Sequence, residues 1–163
     1  MSKCGALLLF ALVSVLAATA LGEKLPEPYK VTGKVYCDTC RCGFETNVTT
    51  YIHGAVVELQ CMDETHTKVV FRNETVTNKG GKFTFVVSYD HGDQYCDVVL
   101  KRSPDKSCKI VDPGRDRARV IVTNSNGINS YHRYANNMGF FADRALPICG
   151  KLLKYYLHFD DDQ

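Results

Sequence analysis

The sequence lacks the short motifs by which many catalytic sites are recognised. It contains no G-x-S-x-G nucleophile elbow, no H-E-x-x-H zinc motif and no phosphate-binding P-loop. It has no internal repeats or heptads, which argues against solenoids and coiled coils. Neither sign of charge predominates, because the sequence has 20 basic and 18 acidic residues. This near balance argues against a general nucleic-acid binder. We therefore predict a protein that is not an enzyme and that needs no cofactor.

Long hydrophobic runs are also scarce. One apolar run, from Gly5 to Leu16, follows Lys3 and precedes the small residues Ala18-Thr19-Ala20. This pattern predicts a secretory signal peptide at residues 1–20, cleaved after Ala20. No second run is long enough to span a membrane, so we expect a secreted protein of the extracellular space. Residues 21–163 have the length of a single domain.

Cysteine is the residue that the sequence has in abundance. Of eight cysteines, Cys4 would leave with the signal peptide. The other seven, in an oxidising compartment, predict three disulfides and one cysteine left over. The spacing Cys37-x-x-Cys40 also occurs in redox pairs and zinc sites, but no βαβ pattern surrounds it and no histidine lies at ligand spacing. We therefore predict structural disulfides and no metal site.

Short alternating segments define the fold class. The stretch VTGKVYCDTCRC, from Val31 to Cys42, places its valines and Cys37 on one face before it enters a cysteine-rich turn. Ala55 to Cys61, Lys82 to Tyr89 and Cys96 to Lys101 alternate in the same way. With almost no helical period, this pattern predicts an all-β fold stapled by three disulfides. The expected architecture is an antiparallel β-barrel or an immunoglobulin-like sandwich of about seven strands.

Three connections are predicted from turn residues and composition. Lys68 to Arg72 and Lys82 to Tyr89 are expected to form a hairpin across Asn78 to Gly81, whose glycines can adopt positive φ. Arg102 to Arg117 contains two prolines and dense charge, which is typical of a long surface loop. From Asn124 onward the pattern is weak and predicts a packed loop or a short helix over one end of the barrel.

Strand parity predicts one disulfide without further information. Cys61 and Cys96 both lie on inward faces of strands that a sheet can bring together. The partners of the other cysteines stay open at this point, because several pairings satisfy the same pattern.

The segment TGKVYCDTCR, from Thr32 to Arg41, resembles the complete signature of the olive major pollen allergen family, the Ole e I-like secreted plant proteins. The resemblance covers essentially all of residues 21–163. It extends to these later positions: Gly54-Ala55, Cys61, Cys96, Cys108, Ala135-Asn136, Gly139-Phe140 and Cys149.

The resemblance implies a disulfide framework. Cys42 is outside the six cysteines of this framework, so it is either a buried free thiol or a site of intermolecular pairing. The implied pairs are Cys37 with Cys108, Cys40 with Cys149 and Cys61 with Cys96, the last in agreement with strand parity.

The resemblance also implies a function. It indicates an extracellular plant glycoprotein, typically of pollen, linked to pollen hydration, germination or tube growth and often allergenic. The family has no established catalytic activity, so we expect a protein that binds a cell-wall polysaccharide or a surface receptor. Two other classes remain open: a small secreted hydrolase, and a protease inhibitor or signalling module that displays the loop Arg102 to Arg117.

Two sequons are candidate glycosylation sites in an exported protein. They are Asn47-Val48-Thr49 and Asn73-Glu74-Thr75. Asn73 shares strand parity with Val69 and Phe71, so it can carry a glycan only if the strand ends before it.

Three further groups are candidate sites. His91, between Asp90 and Asp93, suggests catalysis, but turn-forming polar residues explain this segment equally well.

The most basic stretch suggests contact with an acidic wall polysaccharide or a phospholipid surface, although interspersed aspartates favour a solvated loop. Its residues are Lys101, Arg102, Lys106, Lys109, Arg115, Arg117 and Arg119. Four tyrosines suggest either a sugar-stacking platform or core packing: Tyr131, Tyr134, Tyr155 and Tyr156.

Overall fold

The computed structural model describes residues 27–157 of the chain. Within this range it contains ten strands and one helix. The predicted signal peptide, residues 1–20, lies outside the described residues. In chain order the elements are β1 (Tyr29–Asp38), β2 (Thr50–Tyr51), β3 (Val56–Met62), β4 (Val69–Val76), β5 (Lys82–Val87), β6 (Tyr95–Arg102), β7 (Cys108–Val111), β8 (Arg117–Val120), β9 (His132–Tyr134), β10 (Met138–Ala142) and α1 (Cys149–Tyr156).

Strand β1 is the centre of the larger sheet, which has six strands. The first half of β1 lies between β5, which runs antiparallel to it, and β9, which runs parallel. The second half lies between antiparallel β2 and parallel β10, and β7 extends the sheet beyond β10. Because β1 is hydrogen-bonded along both edges, the positions of four other strands depend on it directly.

The smaller sheet has four antiparallel strands in the order β4-β3-β6-β8. Strand β3 pairs with both β4 and β6, and β6 also pairs with β8. The register places Cys61 of β3 directly opposite Cys96 of β6. These two cysteines are therefore cross-strand neighbours within one sheet.

The hydrophobic core lies between the two sheets. Val31 and Val35 of β1 are fully buried, and Phe83 and Phe85 of β5 are 1% exposed. Leu59 of β3 is fully buried on the other side of the core. The expected inward faces of β5 and β6 are present in the structure. Each large apolar side chain that is fully buried contributes roughly 1.5 to 3 kcal/mol relative to an exposed one.

Two glycines let aromatic rings lie directly against the larger sheet. A Cβ atom at Gly33 would lie 2.5 Å from Cζ of Phe83, and one at Gly139 would lie 2.7 Å from the ring of Tyr36. Both rings are buried, so neither can move aside cheaply. Close packing therefore explains why Gly33 and Gly139, which both belong to segments of the family resemblance, have no side chain.

The all-β class is confirmed, and the architecture is a sandwich-like arrangement of two sheets and not a closed barrel. Two details of the prediction are wrong. The described residues form ten strands and not about seven, and the larger sheet is mixed, because β1 is parallel to β9 and β10. Several unpredicted strands have only two to five residues, which is too short for alternation to be recognisable.

The hairpin predicted across residues 78–81 is wrong. Strands β4 and β5 do follow one another through this turn, in which Gly81 has a φ of 68°. However, β4 pairs with β3, whereas β5 pairs with β1. The turn carries the chain from the smaller sheet to the larger one. Alternation shows which face of a strand is buried, but it does not show which strand lies beside it.

Two segments predicted to be irregular contain strands. The expected surface loop Arg102 to Arg117 contains β7, where Cys108 is fully buried and the next three residues are exposed. The segment after Asn124 contains β9 and β10 before it reaches the short helix α1. Within residues 27–157, no helix has the length and apolar character needed to cross a membrane.

Candidate functional site

Two disulfides converge where β1 ends. Cys37 is bonded to Cys108 of β7, and Cys40 is bonded to Cys149 at the start of α1. The third disulfide joins Cys61 to Cys96 within the smaller sheet. The three disulfides expected for the fold are present, and their pairing is the one that the family resemblance implies.

These disulfides join segments that are far apart in the sequence. The residues of the three pairs are separated by 71, 109 and 35 positions. In the chain-entropy model, closing loops of this size stabilises the folded state by about 4 to 5 kcal/mol each. The bridges of Cys37 and Cys40 therefore hold β7 and α1 against the end of β1.

The turn that follows β1 is organised by a buried carboxylate. Asp38 is fully buried, and it accepts hydrogen bonds from the backbone N–H groups of Cys40 at 3.0 Å and of Gly43 at 2.7 Å. Arg41 adopts a φ of 55° between them. We call residues 38–43 the cysteine turn.

Cys42 is the free cysteine of the described residues. Its side chain is half-buried, and its Sγ atom lies 3.4 Å from the carbonyl oxygen of Phe44. Burial raises the pKa of the Cys42 thiol, and nearby Asp38 raises it further. Because the thiolate is the reactive form, this thiol is a poor nucleophile at neutral pH.

Two ionisable groups are buried near the cysteine turn. Asp112 is 3% exposed, and its Oδ2 atom has no hydrogen-bond partner among the described residues. Burial raises the pKa of Asp112, and repulsion from Asp38 adds to this effect. Burial also raises the pKa of Tyr36 to about 12, so its hydroxyl stays protonated and can donate a hydrogen bond.

The outer face of the smaller sheet carries a second group of charges. Asp97 of β6 accepts a hydrogen bond from Nε of Arg119 at 2.6 Å and forms an ion pair with Arg117 at 3.6 Å. Glu58 of β3 forms ion pairs with Lys101 at 3.4 Å and with Arg72 of β4 at 3.9 Å.

The cations on this face are exposed, whereas the carboxylates are almost buried. The four cationic side chains are 37 to 60% exposed, and those of Asp97 and Glu58 are 10% exposed. Hydrogen bonding from Gln60 and the charge of Lys101 lower the pKa of Glu58, which keeps it ionised. The face also carries the exposed Glu74. A positive excess therefore remains, and we call its cations the basic face: Arg72, Lys101, Arg117 and Arg119.

The seven basic residues that the sequence groups together are divided by the fold. Lys101, Arg117 and Arg119 join the basic face, together with Arg72, which sequence proximity could not reveal because it lies on β4. Lys109 belongs to β7 of the larger sheet. The remaining three lie at the end of β6, before β7 and in the turn after β7: Arg102, Lys106 and Arg115.

His91 is packed as a structural side chain. It is 7% exposed, its Nδ1 atom lies 2.9 Å from Oε1 of Gln94, and its ring centroid lies 4.8 Å from that of Phe71. One of its ring nitrogens and the sulfurs of Cys61 and Cys96 lie within 4.8 Å of one another. Both sulfurs are bonded in a disulfide, so neither is available as the thiolate that binds metals.

The aspartate before His91 also supports the fold. Asp90 accepts hydrogen bonds from the hydroxyls of Thr123 at 2.9 Å and Tyr29 at 3.1 Å, and from the N–H of Asn124 at 3.2 Å. Partial burial opposes its ionisation, but these hydrogen bonds outweigh that effect and lower the pKa of Asp90. The carboxylate therefore ties the loop after β8 to β1.

The four tyrosines considered as a sugar platform divide into two pairs. Tyr131 packs against Tyr29 with ring centroids 5.6 Å apart, and Tyr134 lies on β9 beside the first half of β1. Tyr155 and Tyr156 lie on α1, which is attached to the turn after β1. The two pairs are therefore located toward opposite ends of β1.

The sequons occupy different surroundings. Asn47 is exposed in a turn, where the Thr49 N–H donates to the Thr46 carbonyl at 3.1 Å. Asn73 is half-buried inside β4, opposite Leu59 of β3. The strand continues to Val76, so it does not end before Asn73.

The fold and its bridges define a disulfide-linked β-sandwich with a cysteine-rich turn after its central strand. Comparison with known proteins identifies the family, because residues 27–157 match the model described as Pollen protein Ole e 1 like. The chain belongs to this family.

The relatives come from several flowering plants. The chain is 45% identical over 155 residues to Protein DOWNSTREAM OF FLC of Arabidopsis thaliana. The alignment covers 95% of this chain and 92% of that protein. It is 43% identical to Pollen-specific protein C13 of Zea mays, with coverage of 96% and 92%. Anther-specific protein LAT52 of Solanum lycopersicum is 35% identical, with coverage of 91% and 92%.

A solved structure supports the fold. The crystal structure of the major plantain pollen allergen Pla l 1 superposes with a TM-score of 0.66 at 24% identity, covering 74% of this chain and 98% of that one. Three of these four relatives are named as pollen, anther or allergen proteins, and none of the four names describes an enzyme.

Replacing Asp112 with Asn should remove one contribution by which stability falls as pH rises. The raised pKa means that the folded state retains a proton that the unfolded chain releases above about pH 4. The protonated carboxyl therefore favours folding below the unfolded pKa, and this contribution is lost as pH rises through the folded pKa. We expect the change in urea midpoint from pH 4 to pH 7 to be more positive in the variant than in the parent protein, because the variant lacks this contribution.

Asp93→Asn is the control, because it removes the same charge at an exposed carboxylate that does not contribute to the raised pKa of Asp112. If Asp112→Asn showed the same change in midpoint between the two pH values as the parent protein, the assignment of a raised pKa to Asp112 would be wrong.

Proposed function

We propose that this chain is a non-enzymatic extracellular binding protein of pollen or a similar plant tissue, acting in pollen hydration, germination or tube growth. Its predicted signal peptide, residues 1–20, would be removed on export and leave residues 21–163 as a single domain. Family membership and the names of the maize and tomato relatives support the tissue. Three disulfides support an oxidising compartment such as the extracellular space.

The partner that we propose is an acidic cell-wall polysaccharide, bound at the basic face. The observation that supports this choice is the arrangement of exposed cations over carboxylates that are 10% exposed. The cations pair with Glu58 and Asp97 at low exposure. Together with the exposed Glu74, these carboxylates supply three negative charges against four cations, so an excess of one positive charge remains. Neighbouring strands lie about 4.8 Å apart, so cations on β4, β6 and β8 are spread across the width of the sheet, as binding of an extended polyanion requires.

The alternative classes have less support. A hydrolase would need a polar site with accessible catalytic groups. His91 is 7% exposed, with Nδ1 bound to Gln94 and Nε2 buried without a partner among the described residues, and Asp90 accepts several hydrogen bonds from the scaffold. A protease inhibitor or signalling module would need a projecting loop, whereas β7 and the bond between Cys37 and Cys108 hold part of the candidate loop in the larger sheet.

We also propose that Asn47 carries the glycan and that Asn73 does not. Asn47 is exposed in a turn, where an attached glycan would project into solvent. Asn73 is half-buried and continues the inward parity of Val69 and Phe71 within β4. A glycan there would have to displace packed side chains at the edge of the sandwich.

Neutralising two cations of the basic face should weaken binding to polygalacturonate. Arg72→Gln combined with Arg117→Gln removes the two longest ion pairs, at 3.9 and 3.6 Å, and leaves the closer pairs with Glu58 and Asp97 in place. We expect an increase of about tenfold in Kd at low salt and a weaker dependence on salt concentration. Biolayer interferometry at two salt concentrations measures both quantities.

The matched control is Lys106→Gln combined with Lys109→Gln, which removes the same charge elsewhere. An equal loss of affinity in both double variants would show that net charge alone drives binding and would contradict the proposed surface. Stronger binding to anionic phospholipid vesicles than to polygalacturonate would contradict the proposed partner.

Glycan mapping of the protein secreted from plant cells tests the assignment of the sequons. Asn47→Gln should remove the mass that is released by a peptide N-glycosidase, because its exposed turn is accessible to the glycosylation machinery. Asn73→Gln should leave that mass unchanged. A glycan recovered on the peptide that contains Asn73 would contradict the assignment.

A further inference from the structure

A concave site lies beside the cysteine turn, apart from the basic face. Its volume is about 330 Å³, near the lower end of the range for small-molecule sites. We call it the Tyr36 pocket. It is lined by Tyr36, Phe44, Glu45, Arg115, Asn136 and Asn137.

The walls of the Tyr36 pocket come from four segments that are fixed to one another. Tyr36 belongs to β1, and Phe44 follows the cysteine turn, which the bond between Cys40 and Cys149 anchors. The Nε atom of Arg115 donates a hydrogen bond to the Gly43 carbonyl at 2.7 Å. The carbonyl of Arg115 in turn accepts a hydrogen bond from the Gly139 N–H at 3.1 Å. The pocket is therefore pre-organised by the same contacts that hold the end of β1.

The polar groups of the pocket differ in how far they are already satisfied. Glu45 accepts hydrogen bonds from the Tyr51 hydroxyl at 3.0 Å and from Nδ2 of Asn137 at 2.8 Å, so both of its oxygens are engaged. Within residues 27–157 the two terminal nitrogens of Arg115 have no hydrogen-bond partner, and the side chain is exposed. The pocket therefore combines an anchored carboxylate with a guanidinium group that has free donors.

We propose that the Tyr36 pocket binds one uronic acid unit, a six-membered sugar ring that carries hydroxyls and a carboxylate. The free nitrogens of Arg115 match a carboxylate, which a guanidinium group can bind through two parallel hydrogen bonds. The half-buried ring of Phe44 offers an apolar surface to the C–H face of a sugar.

The remaining groups set the orientation of the sugar. The amide of Asn136 and the hydroxyl of Tyr36 supply hydrogen bonds for sugar hydroxyls. Glu45 repels a second carboxylate, which directs the acid group of the ligand toward Arg115. This site does not depend on the basic face, although both would take acidic saccharides.

The test uses trigalacturonate, a saccharide short enough to occupy a pocket, and its methyl ester, in which the carboxylates are masked. Calorimetry should show that Arg115→Gln raises the Kd for trigalacturonate about tenfold, and that Asn136→Ala raises it by a smaller factor. The methyl ester should bind at least about tenfold more weakly to the parent protein. In ¹⁵N spectra, trigalacturonate should shift the amide signals of Phe44, Glu45 and Asn137.

Arg144→Gln is the matched control, because it makes the same replacement at an exposed arginine that belongs neither to the Tyr36 pocket nor to the basic face. If it weakens trigalacturonate binding as much as Arg115→Gln does, or if the ester binds as well as the acid, the pocket assignment is wrong. Absence of any trigalacturonate binding to the parent protein overturns it too. A third result would separate the two proposals. If trigalacturonate binding depends on Arg115, but Arg72→Gln combined with Arg117→Gln leaves polygalacturonate binding unchanged, the pocket is supported and the basic face is rejected.

Discussion

The structure depends on the hydrogen bonding of β1 along both of its edges. Four strands pair with β1: β5 and β9 along its first half, and β2 and β10 along its second half. Two of these strands, β9 and β10, belong to the last third of the described chain. Disulfides at Cys37 and Cys40 then bind β7 and α1 to the end of the same strand. Local contacts alone cannot create such an arrangement, because the pairing of β1 with β9 and β10 closes long loops.

This constraint explains where the Tyr36 pocket lies, whereas the basic face depends on the register of the smaller sheet. The Tyr36 pocket forms on the outer face of the larger sheet, where the anchored segments meet at the end of β1. The basic face forms on the smaller sheet, where cross-strand register places cations beside Glu58 and Asp97. In both places the scaffold is fixed before a ligand arrives, which lowers the entropy cost of binding.

The sequence could predict the features that depend on local alternation and on cysteine chemistry. Period-two patterns indicated the all-β class, and parity indicated that Cys61 and Cys96 can meet. The pairing of β5 with β1 could not be predicted in this way, because alternation carries no information about neighbours. Only part of the basic face could be predicted from the sequence. Arg72 lies near Glu58 because of the register between β3 and β4, and alternation does not reveal this register. The pocket was not visible at all, because its residues come from four separate segments.

Native-state hydrogen exchange tests the central role of β1 most directly. Amides of β1 between Val31 and Cys37 should exchange only through global unfolding, and should be among the slowest in the protein. Amides at the free edge of β4 should exchange faster, through local opening. If the β1 amides instead exchanged at a lower free energy than those of β3 and β6, the smaller sheet would be the stable unit, and β1 could not be the element on which the fold depends.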